Sequence, residues 1–467
     1  MPSAAPAPSL STDAFAAPKL LYRITNQDHH ADTPVDMVII IPTTQKLLVQ
    51  AERLKQLHEQ HDSLRVRIVP ADELFNEFSS GTPDANAYRR YLKMLYDRAE
   101  TEANMPRYLL LFGDGSWDNR MLTSDWSTYS PDDFLLCYES EDSYSTTMSY
   151  VSDDYYCLLD DGEGGDLTKK DKTDVGVGRL PARNEEEAKI MVDKIIAYVE
   201  NAQAGDWQNT LCFMGDDGNG NVHMTEADAA VSVAKEANPS FNIKKIYWDA
   251  YERVTTSTGN RYPDASRLIK QQMQQGALVM DYCGHGVTYC LSHEQVVRIE
   301  DFAAHTSLRL PLWVTASCDI MPFDSQEENI GETAMLNTRG GAIAFFGTTR
   351  TVYTGDNKNM NCAFIQYVLG TTDGRVNTLG DAVRLSKNSV RSIGSDPADR
   401  RYESYPINKL HYSLLGDPAM RLAIPTLSVI IDSINGQPVS SDGNVQLGAG
   451  QKVTVAGHIE NKSNHYY

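Results

Sequence analysis

The stretch "ALVMDYCGHGVTYC", residues 277–290, begins as an unbroken apolar run and ends in Asp281, Tyr282 and a histidine, His285, held between two glycines. A short apolar run stopped by turn-forming residues reads as a strand buried on both faces, as in parallel sheets. The residues just beyond such a strand carry weight, because ligands of open parallel sheets bind in the crevice outside the strands' carboxyl ends. His285 is therefore expected at the working edge of an α/β sheet. Metal binding through Cys283, His285 and Cys290 is the rival reading, but no second close pair completes a tetrahedral site.

Outward from this stretch, further apolar runs alternate with helical patterns. "TLCFMGDD" (210–217), "IKKIYWD" (243–249), "PLWVTASC" (311–318) and "GAIAFFGTT" (341–349) are separated by helices near "MTEADAAVSVAKEA", "DASRLIKQQMQQ" and "IGETAMLN". The same alternation appears earlier, with strands "MVIIIP" (37–42), "LRVRIVP" (64–70), "RYLLLFGD" (107–114) and "DVGVGRLPA" (174–182). Strands alternating with helices imply a parallel sheet covered on both faces. The expected class is α/β, with a Pro/Ala-rich leader at 1–34 and two α/β units at 35–205 and 206–424. From residue 425 to 467 the pattern becomes "LSVIIDSI", "NVQLGAG" and "KVTVAGHI", which predicts the start of an antiparallel β-sandwich. The chain stops just after the last of these, which predicts a fragment of a longer polypeptide. A long Asp/Ser/Tyr-rich excursion from "GDGSWDNR" to "SDDYYCLLDDGEGGD" is expected to be functional or disordered.

Composition narrows the function classes. Of the 467 residues, 42 are basic and 63 acidic, a net charge of -21 that repels nucleic acid and anionic membrane surfaces. Seven cysteines, widely spread and without C-x-x-C pairs, favour neither a disulfide framework nor structural zinc. There is no apolar run long enough to span a membrane and no secretory leader pattern. The acidic loop "DGEGGD" (161–166) reads first as solvated surface and second as a calcium loop.

The residues that end the strands of the second unit carry the chemistry. Asp216 and Asp217 follow "TLCFM", His285 follows "ALVMDYCG" and Cys318 follows "PLWVTAS". A cysteine nucleophile needs a base within reach and a third group to orient that base. Gly284 and Gly286 would let the backbone turn sharply and a substrate approach closely. Backbone N–H groups beside His285 and Cys318 would supply an oxyanion hole. Taken singly, each residue has a plain structural reading, since a buried cysteine is usually a small hydrophobe. Taken together, at the ends of neighbouring strands, they point to catalysis.

"DYCGHG", then "ASCDI" 33 residues after its histidine, then "GAIAFFGTTRTVY" and "HYSLLGDPAMRL", resemble the gingipain-type (C25) cysteine peptidases over roughly residues 35–425. The resemblance implies a caspase-like α/β catalytic region followed by an Ig-like β domain. It implies Cys318 as nucleophile, His285 as general base and acid, and Asp217, with Asp216 as the alternative, as the residue orienting the histidine. Gly284, Gly286, Ser317, Tyr353 and His223 fall where substrate contacts are expected, Tyr353 as an aromatic pocket wall. His223 stands about where arginine-specific members carry an acid, so no arginine pocket is implied. Within the family, "DELFNEFSSGTPDANAYRRYLKMLYDRA" and "RYLLLFGDGSWDN" are similar to the sortase of the type IX secretion system. That implies cleavage of the C-terminal sorting domain of secreted cargo and transfer of the cargo to anionic lipopolysaccharide. It also implies a bacterial cell-surface, outer-membrane location and contacts with other secretion components. No cofactor is implied, with calcium as a structural ion. A general endopeptidase and a non-catalytic surface scaffold are the alternatives.

Overall fold

In a computed structural model, which describes residues 26–141, 145, 147–165, 167, 171–392, 403–404, 408–425, 427–439 and 447–461, the apolar runs become strands. In chain order these are Met37–Ile41 (β1), Val66–Pro70 (β2), Tyr108–Phe112 (β3), Gly176–Leu180 (β4), Thr210–Gly215 (β5), Asn242–Tyr247 (β6), Val279–Cys283 (β7), Leu312–Ala316 (β8), Ala344–Thr348 (β9) and Tyr412–Leu415 (β10). Alternate side chains enter separate cores, as the two-residue period of a strand requires. Met37, Ile39 and Ile41 pack with helix Leu48–Leu57, while Val38 and Ile40 pack with Tyr88, Tyr91 and Leu92. Helices therefore cover both faces, and the α/β class stands.

The two α/β units do not carry separate sheets. All ten strands form one sheet in the order β2-β1-β3-β4-β10-β9-β8-β7-β5-β6. The join is β10, from the segment "HYSLL", which pairs antiparallel with β9 over four residues and meets β4 at Leu415 and Arg179. At the seam the backbones nearly touch, since a Cβ on Gly178 would come within 2.4 Å of the Gly416 oxygen. Sequence periodicity could not reveal this strand, because four residues, one of them Ser413, are too few to separate a strand from a helix turn.

Among its described residues, much of the long excursion is packed. Trp126, Tyr156 and Cys157 are fully buried, and two buried ion pairs fasten it, one to the sheet and one to helix Leu379–Ser389. The Arg179 guanidinium on β4 donates to both oxygens of Asp153 at 2.9 and 2.7 Å, and Lys387 donates to both of Asp154 at 2.8 and 2.7 Å. Removing one partner of a buried pair strands a charge, which costs about 3–5 kcal/mol. Arg179→Met is accordingly expected to lose that much in urea unfolding, whereas a loss under about 1 kcal/mol would show the pair to be dispensable.

Part of the leader is also packed: His29 is buried and its ring bonds Asp32 and Glu73 at 2.9 and 2.8 Å. After residue 425, Leu427–Ile434, Gln437–Pro438 and Val455–Asn461 form the expected antiparallel sheet. The first three residues of "NVQLGAG", 444–446, lie outside the described residues. Among the described residues no helix is long and apolar enough to cross a membrane.

Candidate active site

Strand register assembles the site. β7 pairs in parallel with β8, Ala316 opposite Cys283, and with β5, Gly215 opposite Cys283. Continuing two residues past the first pair reaches Cys318 on one strand and His285 on the other, and one residue past Gly215 is Asp216. The Gly284 N–H donates to the Ala316 oxygen at 3.3 Å and the Asp216 N–H to the Cys283 oxygen at 3.1 Å, so the three strand ends stay tied after the ladder stops. Thiol, imidazole and carboxylate thus leave one carboxyl edge side by side.

Cys318 is partly exposed, while the six other cysteines are buried. Its Sγ lies 3.5 Å from both the N–H and the carbonyl oxygen of Val352, in the loop after β9. Asp319 comes next in the left-handed region, at φ +48°, which Asp tolerates better than most residues and which turns the chain sharply beyond the thiol. The Cys318 N–H donates to no other group among the described residues. Burial pushes the thiol above its usual value; the Val352 N–H works against this, and the Asp319 carboxylate adds to it.

The His285 backbone is gripped from three sides. Its carbonyl accepts from the Tyr282 hydroxyl at 2.6 Å and from the Ser292 N–H at 2.8 Å, and its N–H donates to Asp216 Oδ2 at 3.1 Å. The imidazole lies among other imidazoles, stacked on His293 at 4.6 Å and edge-on to His223 at 5.0 Å. Burial lowers its pKa, Asp216 opposes that, and His223 and His293 push it further down.

Packing explains the glycines better than backbone freedom does, for neither Gly284 nor Gly286 has a positive φ. A Cβ on Gly284 would lie 2.3 Å from the Tyr282 hydroxyl, and one on Gly286 would lie 2.4 Å from Ser317 Oγ. Gly218 is a third such position, which the sequence did not single out: its Cβ would come 2.9 Å from His285 Cδ2 and 3.1 Å from Nε2. Gly218→Ala is expected to displace the imidazole and cut kcat by about 10²-fold with the melting temperature nearly unchanged. Unaltered kcat would mean that the ring has room to give.

Among the described residues, neither carboxylate bonds the imidazole. The Asp217 carboxylate accepts from the Tyr262 hydroxyl at 2.6 Å, while Asp216, almost wholly buried, accepts from the His285 and Gly218 N–H groups at 3.1 and 3.0 Å. The expected link from Asp217 to the ring is therefore replaced by a link from Asp216 to the loop that carries the ring. Immediately beyond, Asn219, Gly220 and Asn221 all take left-handed φ, a tight turn ahead of the helix proper.

The expected substrate contacts divide. Tyr353, beside Val352, is 42% exposed and stands at the N-cap position of the next helix, its N–H donating to Asn408 Oδ1 at 3.0 Å. Gly286 is half-buried. Gly284 and Ser317 are buried, and His223 is buried with Nδ1 3.3 Å from Glu226, so it backs His285 instead of facing a ligand. His293 and Val352 were not foreseen; His293 reaches the site across the hairpin after Gly286, which no local spacing announces.

The metal reading of Cys283, His285 and Cys290 does not survive. The Cys283 thiol is fully buried against Asn361 Nδ2 at 3.3 Å, and Cys290 contacts the Ser292 oxygen. Glu163 of the acidic loop and the flanking Asp160 and Asp174 bring ligand oxygens within 4.8 Å of one another, a hard donor set of the kind calcium takes. Asp166 lies outside the described residues.

Three kinds of comparison bear on this chain. The model of a family described as peptidase family C25 matches residues 30–423. A protein of Archaeoglobus fulgidus described only as uncharacterized is 23% identical over 405 residues, covering 78% of this chain and 85% of its own. Among solved structures, the Arg-specific cysteine proteinase gingipain R superimposes with a TM-score of 0.59 at 17% identity, over 88% of this chain and 83% of that one. Dimeric latent PorU from Porphyromonas gingivalis superimposes with a TM-score of 0.53 at 24% identity, over 97% of this chain but 36% of PorU. At these identities the structural likeness establishes the fold.

Proposed function

The chain belongs to peptidase family C25 and is a cysteine-type peptidase, and from that premise we propose that it works as a surface sortase of the type IX secretion system. The observation that carries the catalytic part is the register: Cys318 and His285 each lie two residues beyond the paired Ala316 and Cys283. The likeness to PorU over nearly the whole chain supports the sortase part.

In the first half-reaction His285 takes the thiol proton as Cys318 Sγ bonds to the scissile carbonyl carbon, and the oxyanion meets the Cys318 N–H. His285 then gives that proton to the leaving amine, which departs with the C-terminal sorting domain. The thioester is resolved by an amine or hydroxyl of anionic lipopolysaccharide, which loses a proton to His285 as the thiolate leaves. The same reading places the protein at the outer-membrane surface, with secretion components as partners, and assigns calcium a structural role at Asp160, Glu163 and Asp174.

Mass analysis of the cargo's new carboxyl end tests this: a sugar conjugate supports the sortase, and a free acid indicates an ordinary endopeptidase of the same family. A raised thiol pKa and a lowered imidazole pKa leave the resting pair neutral at pH 7. His285 must be unprotonated to act, so its lowered pKa extends activity to lower pH. The acid limb of kcat/KM is expected below pH 6.5, and iodoacetamide labelling should rise about tenfold per pH unit from 7 to 9. A labelling rate already at its plateau at pH 7 would instead reveal a preformed thiolate.

A further inference from the structure

At the amino ends of β5 and β8, away from the carboxyl edge that carries Cys318, lies a cavity of about 440 Å³. It is walled by helix Glu185–Val199 (α1), the turn at 200–208 and the segment Leu308–Leu310 that leads into β8. Its volume falls in the range of small-molecule sites. Ile190, Ala197, Tyr198, Trp207 and Leu310 give it an apolar wall, with the Tyr198 and Trp207 rings edge to face at 6.2 Å. The turn is built rigidly: Asn201 takes a left-handed φ, its Oδ1 accepts from Gln208 Nε2 at 2.7 Å, and the Trp207 indole N–H donates to the Gln203 oxygen.

Of the four charged residues that line the cavity, Glu186, Lys189, Asp193 and Lys194, one is buried. Lys194 is buried, and its ammonium donates to the Ala334 and Met335 oxygens at 3.1 and 2.8 Å. Those carbonyls lie in the last turn of helix Ile330–Leu336 (α2), so a cation capping that helix end accounts for two of the three N–H bonds. It leaves the third donor unspent, and among the described residues no carboxylate pairs with Lys194. The nearby acids are otherwise placed. Asp193 is held by Arg53 at 2.7 Å and Lys189 at 2.5 Å, and Glu186 sits eight residues earlier on α1, about 12 Å along the helix axis. A buried cation without a counter-charge is costly, and its pKa falls to about 7 through burial alone.

We infer that this cavity is a binding site for a small amphipathic carboxylate, its apolar body against Tyr198, Trp207 and Leu310 and its carboxylate on the free donor of Lys194. The ligand supplies the counter-charge that the fold omits, and the cavity supplies apolar surface for an aromatic or medium-chain body. The site is separate from the peptidase reading and stands whether or not the sortase proposal holds.

The test uses three probes of one chain length on the whole protein: decanoate, 1-decanol and decylamine, with affinity measured by calorimetry. Decanoate is expected to bind once per chain and about tenfold tighter than either of the others, as a charge-assisted hydrogen bond requires. Ala197→Trp, at the exposed mouth, should weaken decanoate binding about tenfold or more by filling the cavity. Lys194→Met should bring acid and alcohol to about equal affinity. Equal binding of acid and alcohol by the native chain overturns the proposal, and so does decanoate binding that Ala197→Trp leaves unchanged. These two results decide the matter even where Lys194→Met fails to fold for want of its helix cap.

Discussion

Cys318→Ala is expected to lower kcat/KM on the order of 10⁴-fold or more, the scale seen when the nucleophile of a covalent mechanism is removed. The melting temperature should change little. The thiol makes two 3.5 Å approaches to Val352 and is partly open to solvent, so no large cavity forms when it is removed. A companion measurement makes the assignment independent of activity. Iodoacetamide should modify one cysteine in the folded chain and none in Cys318→Ala, because the other six thiols are buried. Burial also pushes Cys283 and Cys157 well above the usual thiol range and Cys212 and Cys362 up to about 12. Activity retained by the variant, or label found on Cys290 or another cysteine, would remove Cys318 from the mechanism.

How far a signal reaches along the chain decides what the sequence reveals of the structure. β1, β3, β7, β8 and β9 were legible because a strand buried on both faces is mostly apolar, and "MVIII", "YLLLF" and "LWVTA" have no other comfortable place. Cys318 and His285 were legible for a related reason: each comes directly after such a run, and the parallel register then brings them together. Whatever depends on contacts between distant segments was not legible. β10 closes the sheet between strands drawn from residues 176–180 and 344–348, and its own four residues say nothing of that. His293 enters the imidazole stack across a hairpin, and Val352 brackets the thiol with backbone atoms, which carry no side-chain signature. Asp216 and Asp217 pose the hardest case. Adjacent residues of one type at a strand end are equivalent in sequence, and only the competing partners, the Tyr262 hydroxyl for one and the His285 backbone for the other, separate them.

That separation makes the second large effect, and it runs against the order of preference that the sequence alone suggests. Asp216 joins the turn after β5 to the loop after β7: Oδ1 accepts from the Gly218 N–H, and Oδ2 accepts from the His285 N–H. Without the carboxylate, two backbone donors in a buried place lose their acceptor, and the loop holding the imidazole loses its anchor. Asp216→Ala is therefore expected to cut kcat about 10²- to 10³-fold, the cost of an ångström-scale displacement of a catalytic group. Asp217→Ala gives up one bond to Tyr262 and should cost less than about tenfold in kcat. A shift in pH dependence distinguishes this role from loss of folding alone. The Asp216 charge is the influence that raises the His285 pKa against burial and two neighbouring imidazoles, so its removal should move the acid limb of kcat/KM to lower pH. The acid limb of Asp217→Ala should stay in place. If Asp217→Ala proves the more damaging variant, or if it and not Asp216→Ala moves the acid limb, then the carboxylate swings onto the imidazole when substrate binds, and Asp217 takes the orienting role.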